Sequence, residues 1–156
     1  MNAPSVLALA AAAGLNPWMT LLIVAGLATY TQRAPVQPPF SAVLGHGLVL
    51  TLAVLVGVDL VAGKVPRLRR VIAGAGIPAA LVAGAVLCTA LPNSLLAAGG
   101  WAALAGGLVG LAARLALRRA GRWLNARLMR LGHVLAGIVA NVLVGIVTAA
   151  VFALNS

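Results

Sequence analysis

The fold turns on one stretch, Ala13-Gly14-Leu15-Asn16-Pro17-Trp18-Met19-Thr20-Leu21-Leu22. Pro17 has no amide hydrogen, so it cannot bond the carbonyl of Ala13. Asparagine is a good N-cap, and proline is favoured just after one. A helix therefore ends near Leu15 and a new one begins at Pro17. The break lies inside an uncharged apolar run from Val6 to Thr31. Open backbone in hydrocarbon is tolerated only where protein buries it or a wet cavity receives it. Broken helices in transporters use such ends to hold ions or anionic groups. A proline kink in a packed helix would leave the same residues. These residues are also compatible with either a single crossing by 6–31 or a re-entrant segment.

Working outward, the rest of the chain is apolar. Of 156 residues, 63% are hydrophobic and 8% charged, with eleven Lys and Arg against one acid, Asp59. The mean hydropathy is +1.11. Soluble domains carry about a quarter of their residues as charges, so an ordinary cytosolic enzyme is excluded. A nucleic-acid binder displays its basic residues on a polar surface, and there is little polar surface here. A membrane-crossing helix needs about 20 apolar residues. Five segments approach that length, at about 6–31, 41–63, 71–91, 95–117 and 131–154. The expectation is an all-α, polytopic transmembrane helical bundle, a single domain over 1–156, with its first segment broken at Asn16-Pro17. The N-terminus lacks a positive stretch ahead of its apolar run, which reads as a retained segment and not a secretory signal.

Ten of the eleven bases fall in two clusters. Lys64, Arg67, Arg69 and Arg70 form one; Arg114, Arg118, Arg119, Arg122, Arg127 and Arg130 form the other. Two segments separate them, so both lie on one side, which the positive-inside rule makes cytoplasmic. Arg67, Arg69, Arg70, Arg119, Arg122 and Arg130 are the candidates for contact with anionic lipid headgroups. Leu117, Ala120, Leu124, Leu128 and Leu131 recur at helical spacing and Trp123 is an interfacial residue, so this region reads as a basic amphipathic connection at the cytoplasmic surface.

Small residues at every fourth position let helices approach closely. Gly106 and Gly110 form such a pair. His133, Gly137, Asn141, Gly145 and Ala149 form a longer stripe, which points Asn141 into the bundle. His46 and Asp59 lie in the second segment, about 20 Å apart along a helix and on different faces. Asp59 is placed to pair with Lys64 or with a base of the second cluster. A carboxylate within a span is a functional-site candidate. No second carboxylate, metal-ligand spacing, nucleophile elbow or phosphate loop is present, so no enzyme activity, metal or cofactor is expected. The single Cys88 reads as a small buried helix residue.

The stretch around Asn16-Pro17 resembles the opening of a family of small bacterial membrane proteins, the domain of unknown function 4126, in which Gly-Leu-Asn precedes an aromatic and a leucine-rich run. Asp59-Leu60-Val61-Ala62-Gly63-Lys64-Val65-Pro66 is similar to that family's second signature: an acid, two apolar residues, alanine, aspartate, lysine, an apolar residue and proline. Here Asp59 stands for the family's glutamate, Gly63 for its second acid, and Arg67, Arg69 and Arg70 for the acids that follow the proline. The resemblance covers the first half of the chain. It implies a membrane fold and raises the interest of Asn16, Asp59 and Lys64.

Two functions are carried forward. The first is a transporter or channel-like unit for a small solute or ion in the bacterial inner membrane, expected to be oligomeric, with Asn16, Asp59, Lys64, His46 and Asn141 along its pathway. The second is a non-transporting scaffold or accessory subunit, binding partner helices through Gly106, Gly110, Gly137 and Gly145 and anionic lipid through its bases. An enzyme acting on lipid headgroups through His46 or His133 would lack a second catalytic group.

Overall fold

The computed structural model describes residues 1–31, 36–62, 66–92, 100–128 and 131–155, with backbone only at 62, 66–73, 124–125, 127–128, 131–134 and 155. Regular structure among these is entirely helical. The elements are α1 (Ala3–Leu15), α2 (Pro17–Gly26) with a π-helical turn at Leu27–Thr31, α3 (Phe40–Val43), α4 (His46–Ala62), α5 (Pro66–Ala90), α6 (Gly100–Leu128) and α7 (Leu131–Asn155).

The break expected at Asn16 is present. Asn16 is extended, with φ −143° and ψ 99°. Its Oδ1 accepts the amide of Met19 at 3.1 Å, filling one of the donor positions that a helix start leaves open. Thr20 Oγ1 donates to the Asn16 carbonyl at 2.9 Å.

Beyond the break the chain turns back. The Met1 amino group donates to the Pro92 carbonyl at 2.9 Å, and the Gln37 amide donates to the Ala90 carbonyl at 2.8 Å. Both ends of this segment therefore meet one end of α5. Were α1 and α2 collinear they would extend about 40 Å, and the few residues after Thr31 reach only about 20 Å. The first segment is a helical hairpin with Asn16 at its tip. Helix α1 covers about 20 Å before the turn. Val6 and Leu9 of α1 and Val24 of α2 pack into one core with Leu87 of α5, Leu91 just after it and Phe152 of α7.

The longer helices run antiparallel in succession. Gly84 and Gly106 meet backbone to backbone, and Gly110 lies against the carbonyls of Ala80 and Ala10. These contacts fix α5 antiparallel to α6, with α1 laid along both. Helix α4 rests chiefly on α2, and His46 at its start stands edge-on to Tyr30 with ring centroids 5.2 Å apart. One end of the bundle thus gathers Met1, Gln37, His46 and Pro92. The other gathers the starts of α5 and α7, with Arg67, Arg69 and Arg70, and the end of α6, with Arg119 and Arg122.

Two helices are long and apolar enough to cross a membrane, Gly100–Trp123 and Leu135–Leu154, with mean hydropathies of 1.5 and 2.4. Only 22% and 28% of their apolar windows are buried, whereas the core helix of a soluble protein would be mostly covered. Their exposed residues include Leu104, Leu108, Ile138, Val142 and Ile146. The apolar stretches of α4 and α5 are shorter, at His46–Val61 and Gly74–Ala90. Two crossing candidates among the described residues do not confirm a bundle of five spans. The basic amphipathic connection expected after the fourth segment is no separate surface helix either. It continues α6 without interruption to Leu128, giving a rod of about 43 Å.

Candidate functional site

Polar side chains are scarce enough in this chain that their meeting place stands out. Asn16, Asp59, Gly76, Arg114 and Asn141 each lie thirteen or fourteen residues along their helix from the Pro92 end of the bundle. At helical rise this is one level, about 20 Å in. Direct contacts tie the level together. Asn16 Nδ2 donates to Asn141 Oδ1 at 2.9 Å, joining the hairpin tip to α7. Arg114 Nη1 donates to the Leu15 carbonyl at 2.8 Å, joining the tip to α6. The Arg114 guanidinium lies against Gly76 of α5, where any β-carbon would collide with it. Asp59 of α4 is within electrostatic range of Arg114.

Each partner has a physical reason to be there. The turn at Asn16 exposes the final carbonyls of α1, which carry the negative end of its dipole, and a cation there is favourable. Arg114 supplies it. Asn16 meets two obligations at once: its oxygen caps α2 while its amide reaches Asn141, and the residue is 7% exposed. Gly76 provides the flat floor that a planar guanidinium needs. Arg114 Nε is buried without a hydrogen-bond partner.

The structure thus brings Asn16 and Asn141 together, while Asp59 is related to them only by lying within electrostatic range of Arg114. It does not bring His46, which is exposed at the Pro92 end and about 20 Å from Asp59 along α4. Lys64 and Arg130 lie outside the described residues, and the side chains of Arg67, Arg69 and Arg70 do as well. Arg119 and Arg122 are exposed on the last turns of α6. Gly106 and Gly110 are packed, whereas Gly137 and Gly145 have no atom within 4 Å of a β-carbon position. Among the described residues there is no cluster of His, Cys, Asp or Glu that would hold a metal.

Arg114 is the member that sequence reasoning assigned elsewhere. By sequence it falls in the basic cluster that marks topology. The signal that singles it out is position, since it lies a full turn inside the apolar run, ahead of the dense arginines at 118–122.

Among the described residues these features define a class: a helical bundle with an apolar exterior, a folded-back pair of short helices and an internal polar level. The chain belongs to the family described as Domain of unknown function (DUF4126), whose sequence model matches residues 4–155. The match extends through the C-terminal half, beyond the motifs at Asn16-Pro17 and Asp59–Pro66. Neither the curated proteins nor the solved structures contain a match.

Proposed function

We propose that this protein is a multi-pass protein of the bacterial inner membrane in which four helices cross and the α1–α2 hairpin re-enters, acting as a transporter or channel-like unit for a small solute or ion. The observation that carries this reading is the polar level at the hairpin tip. Broken half-helices that turn back inside a bundle serve, in transporters, to place helix ends at a substrate site. Ionisable residues within spans cost enough that they are kept for function or for pairing.

The charge distribution supports an orientation. Arg119 and Arg122 stand at one end of the bundle with the starts of α5 and α7, and the positive-inside rule makes that end cytoplasmic. The Pro92 end, with Met1 and the connection before α4, then faces outward. Exposed bases at the inner end meet anionic lipid headgroups. The chain is small, and a complete pathway is expected to involve more than one copy.

The test is a flux assay on purified protein in liposomes, comparing the wild type with Asp59→Asn. A reduced flux in the variant supports the reading, equal flux removes Asp59 from the mechanism, and no flux of any solute overturns the transport class. The orientation has its own check. Cysteines placed at Asn2 and Gln37 should both label from the outer face, because both positions flank the same end of α5.

A scaffold or accessory role is the second reading, favoured by two unfilled surfaces. Gly137 and Gly145 present an open face on α7, and an alanine-lined groove of about 490 Å³ runs between α1, α6 and α7, past Ala8, Ala12, Ala113, Ala116 and Val147. A stoichiometric foreign partner retained in mild detergent would favour this role.

A further inference from the structure

Helices α1 and α6 start at the same end of the bundle and lie side by side, but α1 stops at Leu15 while α6 runs on to Leu128. Past Leu15 the chain turns back through Asn16-Pro17, and α2 returns along α4. This mismatch in length opens the groove between α1, α6 and α7. Ala8 and Ala12 line it from α1, Ala113, Ala116 and Ala120 from α6, and Val147 from α7. Every residue along it is an alanine, a leucine or a valine, so it offers a water-soluble solute no polar side chain. Ala116 and Ala120 are exposed.

The groove has the dimensions of a single hydrocarbon chain. At helical rise Ala8 lies about 8 Å and Ala120 about 30 Å from the Pro92 end, a length of about 22 Å. A volume of about 490 Å³ over that length gives a cross-section of about 22 Å², whereas a helix about 10 Å across fills more than three times as much. The depth is equally specific. With the Pro92 end at the outer edge of a hydrocarbon core about 30 Å thick, Ala120 stands at the inner edge. One leaflet is about 15 Å, half of that core, so a chain entering beside Ala120 reaches Leu15 and the hairpin tip. An empty slot there would forfeit the dispersion contacts of its walls.

The surface beyond Ala120 supplies the other half of a lipid site. Neighbours on a helix surface lie three and four residues apart. Arg119 follows Ala116 by three, and Trp123 follows Arg119 by four and Ala120 by three. Arg119 and Trp123 are both exposed. Arg127 holds the next position of the same stripe. An apolar wall, a tryptophan of the kind found at headgroup level and an arginine suited to phosphate therefore succeed one another along one face of α6. Arg118 and Arg122 stand on the same two turns, so the surroundings are cationic and oppose a headgroup that carries its own positive charge.

We infer that the groove binds one acyl chain of an anionic phospholipid of the cytoplasmic leaflet, with the phosphate on Arg119 and the glycerol beside Trp123. This rests on the multi-pass membrane reading and not on transport, and it leaves the open face of α7 for any partner.

The experiment uses the full chain purified in mild detergent. Native mass spectrometry counts the lipid retained when phosphatidylglycerol or phosphatidylcholine with the same acyl chains is added. One phosphatidylglycerol per chain is expected, in preference to phosphatidylcholine. Arg119→Gln should lower its retention about tenfold, the worth of one charge-assisted hydrogen bond. Ala116→Trp, which fills the groove from an exposed position, should abolish retention with Arg119 intact, and Ala120→Phe serves if the tryptophan variant does not fold. Unchanged retention in both groove variants would overturn the placement of the chain. Equal retention of the two lipids by the wild type would overturn the selection of charge. A second copy of the protein bound in place of lipid, and lost in Ala116→Trp, would overturn the inference in favour of self-association. Alkaline carbonate washing of the source membranes tests the underlying reading separately. Release of the protein into the wash overturns the membrane reading, whereas a protein that stays in the membrane yet retains no added lipid overturns the inference alone.

Discussion

Two sets of glycines with helical spacing meet opposite fates in this molecule. Gly106 and Gly110 of α6 are pressed against the backbones of α5 and α1, while Gly137 and Gly145 of α7 look onto open space. The spacing is equivalent, since both sets recur at multiples of four. The difference lies in what the rest of the chain brings alongside. Helix α6 is flanked by α5 and receives the α1 half-hairpin, so its small residues are enclosed. Helix α7 turns a different stripe inward, Ala140, Val144 and Thr148, all buried. A stripe of small residues shows where close approach is possible, and the partner decides whether it occurs.

That contrast is open to mutation. The largest effect is expected from Gly106→Leu, whose side chain must displace the Gly84 backbone and Cys88. Overpacking of this kind costs about 1–3 kcal/mol or more, and thermal unfolding in detergent should show a clear fall in midpoint. Asn16→Ala should cost about 1–2 kcal/mol through loss of the cap and of an interhelical bond, with the same readout. Asn141→Ala removes only the partner of Asn16, and interhelical hydrogen bonds of this kind average about 0.6 kcal/mol. Gly137→Leu and Gly145→Leu should be close to neutral, within about 0.5 kcal/mol. A large loss in either would show that the α7 face is covered in the assembled protein, and sizing in detergent would reveal whether a second copy covers it.

The local chemistry of the hairpin was legible in sequence. Asparagine followed by proline names a helix end and a helix start because capping acts within three residues. The direction taken afterwards was not legible, because it is set by bonds from Met1 to Pro92 and from Gln37 to Ala90. The same distinction holds at the site. Asn16, Asp59 and Asn141 could be chosen because polar groups in apolar runs are conspicuous. Their meeting with Arg114 depends on a bond to Leu15 ninety-nine positions away. His46 resembles them only in chemical type, and helical rise places it at the Pro92 end of the bundle. The basic extension of α6 carried the period of an amphipathic helix but no signal that it would run on unbroken from the apolar part.

The fold-back of the first helix has a consequence for how the protein is made. Neither α1 nor α2 is long enough to cross a bilayer core of about 30 Å by itself. The surfaces that receive them belong to α5, α6 and α7, which leave the ribosome later. On the proposed membrane reading, hairpin docking follows the formation of α5, α6 and α7, because those helices supply the surfaces that receive it. The bond between the Arg114 guanidinium and the Leu15 carbonyl, ninety-nine positions apart, requires α1 and α6 to be packed together, so the polar level is a property of the docked hairpin and of neither helix alone.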